Sequence, residues 1–123
     1  MLQLPPAEAA APIDEVDTPA LLLDLDALER NLEHMAFLAR EATMKLRPHG
    51  KTHKSPVIAR LQIMRGAVGQ CVQKVAEAEI LAWGGVDNIL VTNEVVGARK
   101  LAAQRLDSQR RFCSAARQLS CEK

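Results

Sequence analysis

The sequence predicts a parallel α/β sheet, either doubly wound or closed into a barrel. Three observations predict it. Short apolar runs begin near residues 44, 67 and 88. Each is followed by a stretch of helical periodicity, and polar residues gather just after each run. In both architectures the ligand site lies at the carboxyl ends of the strands. Residues 49–54, 73–74 and 93–94 therefore fall on the functional face.

Taken in order, residues 1–16 read as a loose lead-in, because Pro5, Pro6 and Pro12 block regular structure. Thr18-Pro19 opens Ala20–Leu25, a short strand candidate. Asp26 reads as a helix N-cap with Glu29 three residues on, close to a capping box. Leu28, Leu32, Met35, Ala36 and Ala39 share one face of the helix that follows, and His34 reads as solvated. A strand over Met44–Pro48 then runs into a basic turn. Ser55-Pro56 starts a helix, with Ser as the cap and Pro at a position whose N–H would be unpaired anyway. That helix stops at Gly66. A strand over Ala67–Val72, a helix over Val75–Trp83 stopped by Gly84-Gly85, a strand over Asn88–Thr92 and a helix over Val95–Leu106 complete the pattern.

Composition narrows the function. A chain of 123 residues with 48% apolar content can bury one core. Aromatic content is 2% and net charge +1, which disfavours nucleic-acid binding, where stacking rings and a basic surface are wanted. Cys71, Cys113 and Cys121 form neither a disulfide framework nor a zinc knuckle, so a reduced, cytoplasmic protein is expected. Residues 1–12 lack the basic segment of a signal peptide, and no apolar stretch approaches the roughly 20 residues that span a bilayer. No Gly-x-Gly-x-x-Gly, P-loop or Gly-x-Ser-x-Gly elbow occurs. His49 and His53 straddle a turn with no carboxylate beside them in sequence, so no metal site is expected within this chain.

What remains is Arg47-Pro48-His49-Gly50-Lys51-Thr52-His53-Lys54-Ser55-Pro56. No Asp or Glu occurs from Ala42 through Ala76, a span that also holds Lys45, Arg60, Arg65 and Lys74. Such a cluster reads in three ways: a solvated surface turn, a site for an anionic partner, or an amine held neutral and nucleophilic. Desolvation and neighbouring positive charge both favour the neutral amine.

Four segments resemble a known family. Asp17–Leu32 is similar to the opening of the D-threonine aldolase, D-serine dehydratase and 3-hydroxy-D-aspartate aldolase group, pyridoxal-phosphate enzymes with an alanine racemase-like N-terminal barrel. Arg47–Lys54 resembles the cofactor-lysine motif of that group, and Gln73–Glu79 and Ile89–Gly97 resemble two further segments in the same order. The resemblance covers residues 17–105. It implies a partial (β/α) barrel of about three βα units, with the strand at Ala20–Leu25 belonging to a second, β-rich domain. It implies Lys51 as the catalytic and cofactor-binding residue, joined to pyridoxal 5'-phosphate as a Schiff base, with Lys54 the competitor. His49 and His53 would tune that lysine, reach substrate or serve the structure. Gln73 and Asn93 could face the same site.

The implied activity is a lyase acting on D-3-hydroxy amino acids, of D-threonine aldolase or D-serine dehydratase type. A small D-amino acid would be its substrate, and the full-length form a homodimer with no nucleic-acid or membrane partner. A divalent metal, zinc or manganese, would be held by ligands outside this chain. The organisation expected is a lead-in over 1–16, a partial barrel over 17–106 and a divergent tail over 107–123. After Leu106 the text turns polar and basic where the family would enter a fourth apolar strand, which reads as a truncated or frameshifted product. An unpaired barrel edge is unfavourable for folding, so weak or no activity is expected of this chain alone. The alternative is a non-catalytic pyridoxal-phosphate-binding protein or an inactive truncated product.

Overall fold

The computed structural model describes residues 5–100, 102 and 113–114. After one 3-10 turn at Ile13–Glu15 the elements are α1 (Leu25–Glu41), α2 (Pro56–Met64), β1 (Gln70–Val72), α3 (Val75–Trp83), β2 (Ile89–Val91) and β3 (Cys113–Ser114). The strands form one parallel sheet in the order β1-β2-β3.

From α2 to β2 the local signals act as expected. Ser55 caps α2, its hydroxyl accepting from the Ile58 N–H at 3.5 Å, and Pro56 fills the first helical position. Gly66 follows with φ +102°, a left-handed conformation that glycine adopts without penalty. At α3 the Glu77 carboxylate accepts from the backbone N–H groups of Gln73 and Lys74 at 3.1 and 3.2 Å, satisfying donors the helix leaves open. Gly84 and Gly85 end α3, and Gly84 must be small. A Cβ there would lie 2.2 Å from Pro56 Cβ.

The core sits between these two helices and one face of the sheet. It comprises Ala59 of α2, Ala78, Leu81 and Ala82 of α3, Val86, and Val72, Ile89 and Val91 of the strands. The alanines let the helices approach closely, and each large side chain removed from water contributes roughly 2 kcal/mol. Along β1 and β2 the outer residues are buried and Cys71 and Leu90 only half-buried. Alternation therefore turns Cys71 and Leu90 to the sheet face away from the core helices.

Residues 44–48 run extended beside β1 without becoming a regular strand, contrary to expectation. Leu46 O accepts from Val68 N at 2.9 Å and Pro48 O from Cys71 N at 2.8 Å, so the pairing slips by one residue at Gly69. Pro48 has no N–H to return. Pairing is regular only at His49, which bridges Cys71 in parallel. Gly69 has φ +153°, and a Cβ there would lie 2.1 Å from Asn88 O. The expected strand over Ala67–Val72 is accordingly shortened to Gln70–Val72.

Other expectations are corrected. Ala20–Leu25 forms no strand among the described residues; Leu21, Leu22 and Leu23 are exposed, and α1 already begins at Leu25. Asp24 caps α1, accepting from Ala27 N at 2.9 Å, and Asp26 lies in the first turn, where its charge suits the helix dipole. On the predicted face of α1 only Leu32 and Ala36 are buried, while Met35 is 48% exposed. After β2, helical residues begin at 98 rather than 95; Val95 packs on the core and Gly97 has φ +100°, outside the helical range. Residues 101 and 103–106 of that expected helix lie outside the described residues, as does most of the expected tail. Within the tail, Cys113–Ser114 pairs in parallel with Leu90–Val91, where no strand was expected.

Candidate functional site

The basic turn stands at the carboxyl end of the extended segment 44–49, next to the ends of β1 and β2. Gly50 N donates to Cys71 O at 2.7 Å, and Lys54 N to Gly50 O at 2.8 Å, closing the turn. Gly50 is buried; a Cβ there would come within 3.2 Å of Leu81 and 3.3 Å of the Gln70 side-chain oxygen. Lys54 adopts φ +51°, uncommon for a residue with a side chain. His53 Nδ1 accepts from Ser55 N at 3.0 Å, so the ring helps lead the chain into α2. Burial pushes the His53 imidazole below its ordinary value, partly offset by that backbone hydrogen bond. Its Nε2 is buried with no hydrogen-bonding partner among the described residues.

Four of the cations of the basic stretch are engaged by the protein. The Arg47 guanidinium donates to the Asn88 side chain at 3.0 Å and to the Asn88 and Gln70 carbonyls. Arg60 donates to Gly84 O at 2.6 Å and Arg65 to Leu61 O at 3.4 Å. Lys54 Nζ lies 3.9 Å from the Glu77 carboxylate. The stretch is free of carboxylates in sequence but not in space, since α3 carries Glu77 to the turn. Lys51 differs. It is exposed, and among the described residues its ammonium has no ion pair or hydrogen bond.

Beside the turn, the His49 ring reaches across to β2. Its Nε2 lies 3.4 Å from Thr92 Oγ1, and its Nδ1 accepts from the Lys51 backbone N–H at 3.2 Å. Thr92 hydrogen-bonds in turn to Val72 O, through its hydroxyl at 3.0 Å and its N–H at 2.8 Å. Burial raises the Cys71 thiol, opposed by the charges of Arg47 and Lys51 and by the Thr92 hydroxyl. Gln73 and Asn93 follow β1 and β2 as expected. Gln73 N is held by Glu77, and Asn93 Oδ1 accepts from Glu94 N at 3.0 Å. They border a groove of about 550 Å³ that also includes Lys74, Glu79, Arg99 and Lys100. Thr92 and Glu77 escape a reading of the sequence. Thr92 looks like the end of an apolar run, and Glu77 like an ordinary first-turn carboxylate. Among the described residues no group of three or more His, Cys, Asp or Glu side chains could hold a metal ion. No helix there is long and apolar enough to cross a membrane.

No family model matches the chain. It is 48% identical over 98 residues to a D-threonine aldolase from Arthrobacter sp, covering 80% of this chain and 26% of that protein. It is 54% identical over 82 residues to a 3-hydroxy-D-aspartate aldolase from Paracoccus denitrificans, covering 66% and 21%. The crystal structure of D-threonine aldolase from Filomicrobium marinum superposes with a TM-score of 0.85 at 50% identity, over 91% of this chain and 31% of that one. The chain thus spans about a quarter of the length of the curated relatives it matches. Agreement in sequence and fold makes the chain a homologue of the D-threonine aldolase, 3-hydroxy-D-aspartate aldolase and D-threo-3-hydroxyaspartate dehydratase group.

Proposed function

We propose that this chain forms the lysine-bearing part of a pyridoxal-phosphate-dependent lyase acting on D-3-hydroxy amino acids, with Lys51 as the residue that holds the cofactor. The observation that carries this is the isolation of the Lys51 amine. It projects from a turn at the carboxyl ends of parallel strands, while Arg47 and Lys54 beside it are engaged by carbonyls and a carboxylate. Lys54 is the poorer candidate because Glu77 draws its ammonium toward α3. The surroundings fit a flat, partly apolar group. Cys71 and Leu90 are half-buried on the face away from the core helices, and buried Gly50 keeps the turn close to β1. When bound, pyridoxal phosphate draws electron density from the substrate Cα, and Lys51 holds the cofactor through its side-chain nitrogen.

The sequential parallel order, from segment 44–49 through β1 and β2, supports a (β/α) barrel rather than a doubly wound sheet, in which the order reverses. On this reading residues 17–106 are about three βα units of an alanine racemase-type barrel, after a lead-in over 1–16 and before a divergent tail over 107–123. Substrate contacts, any divalent metal and a homodimer contact belong to the parts of the relatives that this chain does not span, and the setting is cytoplasmic.

Titration of the chain with pyridoxal phosphate tests the reading. The visible absorbance band of the protein-bound cofactor is expected in the wild type and in Lys54→Ala, and absent in Lys51→Ala. A band that survives in Lys51→Ala and disappears in Lys54→Ala would reassign the lysine.

A further inference from the structure

The direction of each hydrogen bond between Lys51 and β1 can be worked out from the chemistry of the groups at its two ends. Val72 O can only accept, so the hydrogen of the Thr92 hydroxyl, 3.0 Å away, points to it. The Lys51 backbone N–H can only donate, so His49 Nδ1, 3.2 Å away, carries no hydrogen. The neutral ring then bears its hydrogen on Nε2, which faces the lone pairs left on Thr92 Oγ1 at 3.4 Å. Three hydrogen bonds thus run one way: Lys51 N–H to His49, His49 to Thr92, Thr92 to Val72 O. They join the turn to strand ends more than twenty residues away in sequence.

We propose that Thr92 and His49 are positioning residues for Lys51, acting as a directed hydrogen-bonded relay that fixes the Lys51 backbone over the carboxyl ends of β1 and β2. The proposal rests on the reading of Lys51 given above. Without the relay the nearest tie from Lys51 to the sheet is Gly50 N on Cys71 O, one residue earlier, with Pro48 O and the Arg47 guanidinium further back. A reactive amine gains from a backbone held in place, because misplacement costs orientation at the reacting atom.

Two measurements on the full chain test it. Nitrogen NMR of histidine-labelled protein without cofactor reads the tautomer of His49. The Nε2–H form is expected in the wild type and in both variants, because the Lys51 N–H still meets Nδ1. The Nε2 signal is expected to shift in Thr92→Val, which keeps the shape but removes the acceptor hydroxyl, and to return in Thr92→Ser. In parallel, the rate of borohydride-stable capture of pyridoxal phosphate at Lys51 is expected to fall about tenfold in Thr92→Val and to recover in Thr92→Ser, as for the loss of one net hydrogen bond. A wild-type ring carrying its hydrogen on Nδ1, or capture in Thr92→Val as fast as in the wild type, overturns the proposal. Absence of any Lys51 adduct in the wild type instead overturns the reading of Lys51, and with it the positioning role, while the Nε2 signal still reports whether the relay forms.

Discussion

Residues 55–92 and residues 20–44 are similarly rich in aliphatic side chains, yet the second stretch buries only Leu32 and Ala36. Val72, Ala78, Leu81, Ala82, Val86, Ile89 and Val91 are all 1% exposed or less. In the second stretch Leu21 is 89% exposed, Leu25 68% and Met44 70%. The difference lies in partners. Each element from α2 to β2 meets its neighbour within a few turns of chain. The leucines before α1 meet no strand among the described residues, and an apolar run without a partner remains extended coil. Periodicity reports which face would be buried; a neighbour decides whether it is.

That contrast can be broken or sharpened by substitution, with stability followed by urea denaturation. Leu81→Ala should be the most damaging, about 3 kcal/mol, since it empties a fully buried position between α3 and the sheet. Asp24→Ala should cost about 1 kcal/mol, by removing the carboxylate that caps α1 at 2.9 Å. Leu22→Ser should change stability by less than about 0.5 kcal/mol, because that side chain already faces water. A loss at Leu22 as large as that at Leu81 would mean that the leucine run is covered after all, and the contrast would fall.

The same contrast explains what could be read from the residues alone. Ser55-Pro56, Gly66 and Gly84-Gly85 are local signals, and the helices they bound stand where expected, with α3 at Val75–Trp83. Asp24 and Asp26 are both competent caps two residues apart, and composition does not choose between them. The strand expected over Met44–Pro48 does not become regular, because Pro48 lacks the N–H that the ladder implied by the apolar pattern needs. At the site, the turn and its strand-end position were legible because they follow from chain order. The engagement of Arg47 by Asn88 and of Lys54 by Glu77 was not, because these partners lie 41 and 23 residues away, and spacing carries no trace of them. Thr92 was missed for the same reason, since it meets His49 only when β2 is laid beside β1.

The central claim is that the side chain of Lys51 is the available amine of this turn. Its most direct test is borohydride reduction of the chain in the presence of pyridoxal phosphate, followed by mass-spectrometric mapping of the labelled peptide. The account predicts the adduct on Lys51, with Lys54 and Lys74 unlabelled. Label on Lys54 or Lys74 with Lys51 unmodified would contradict it.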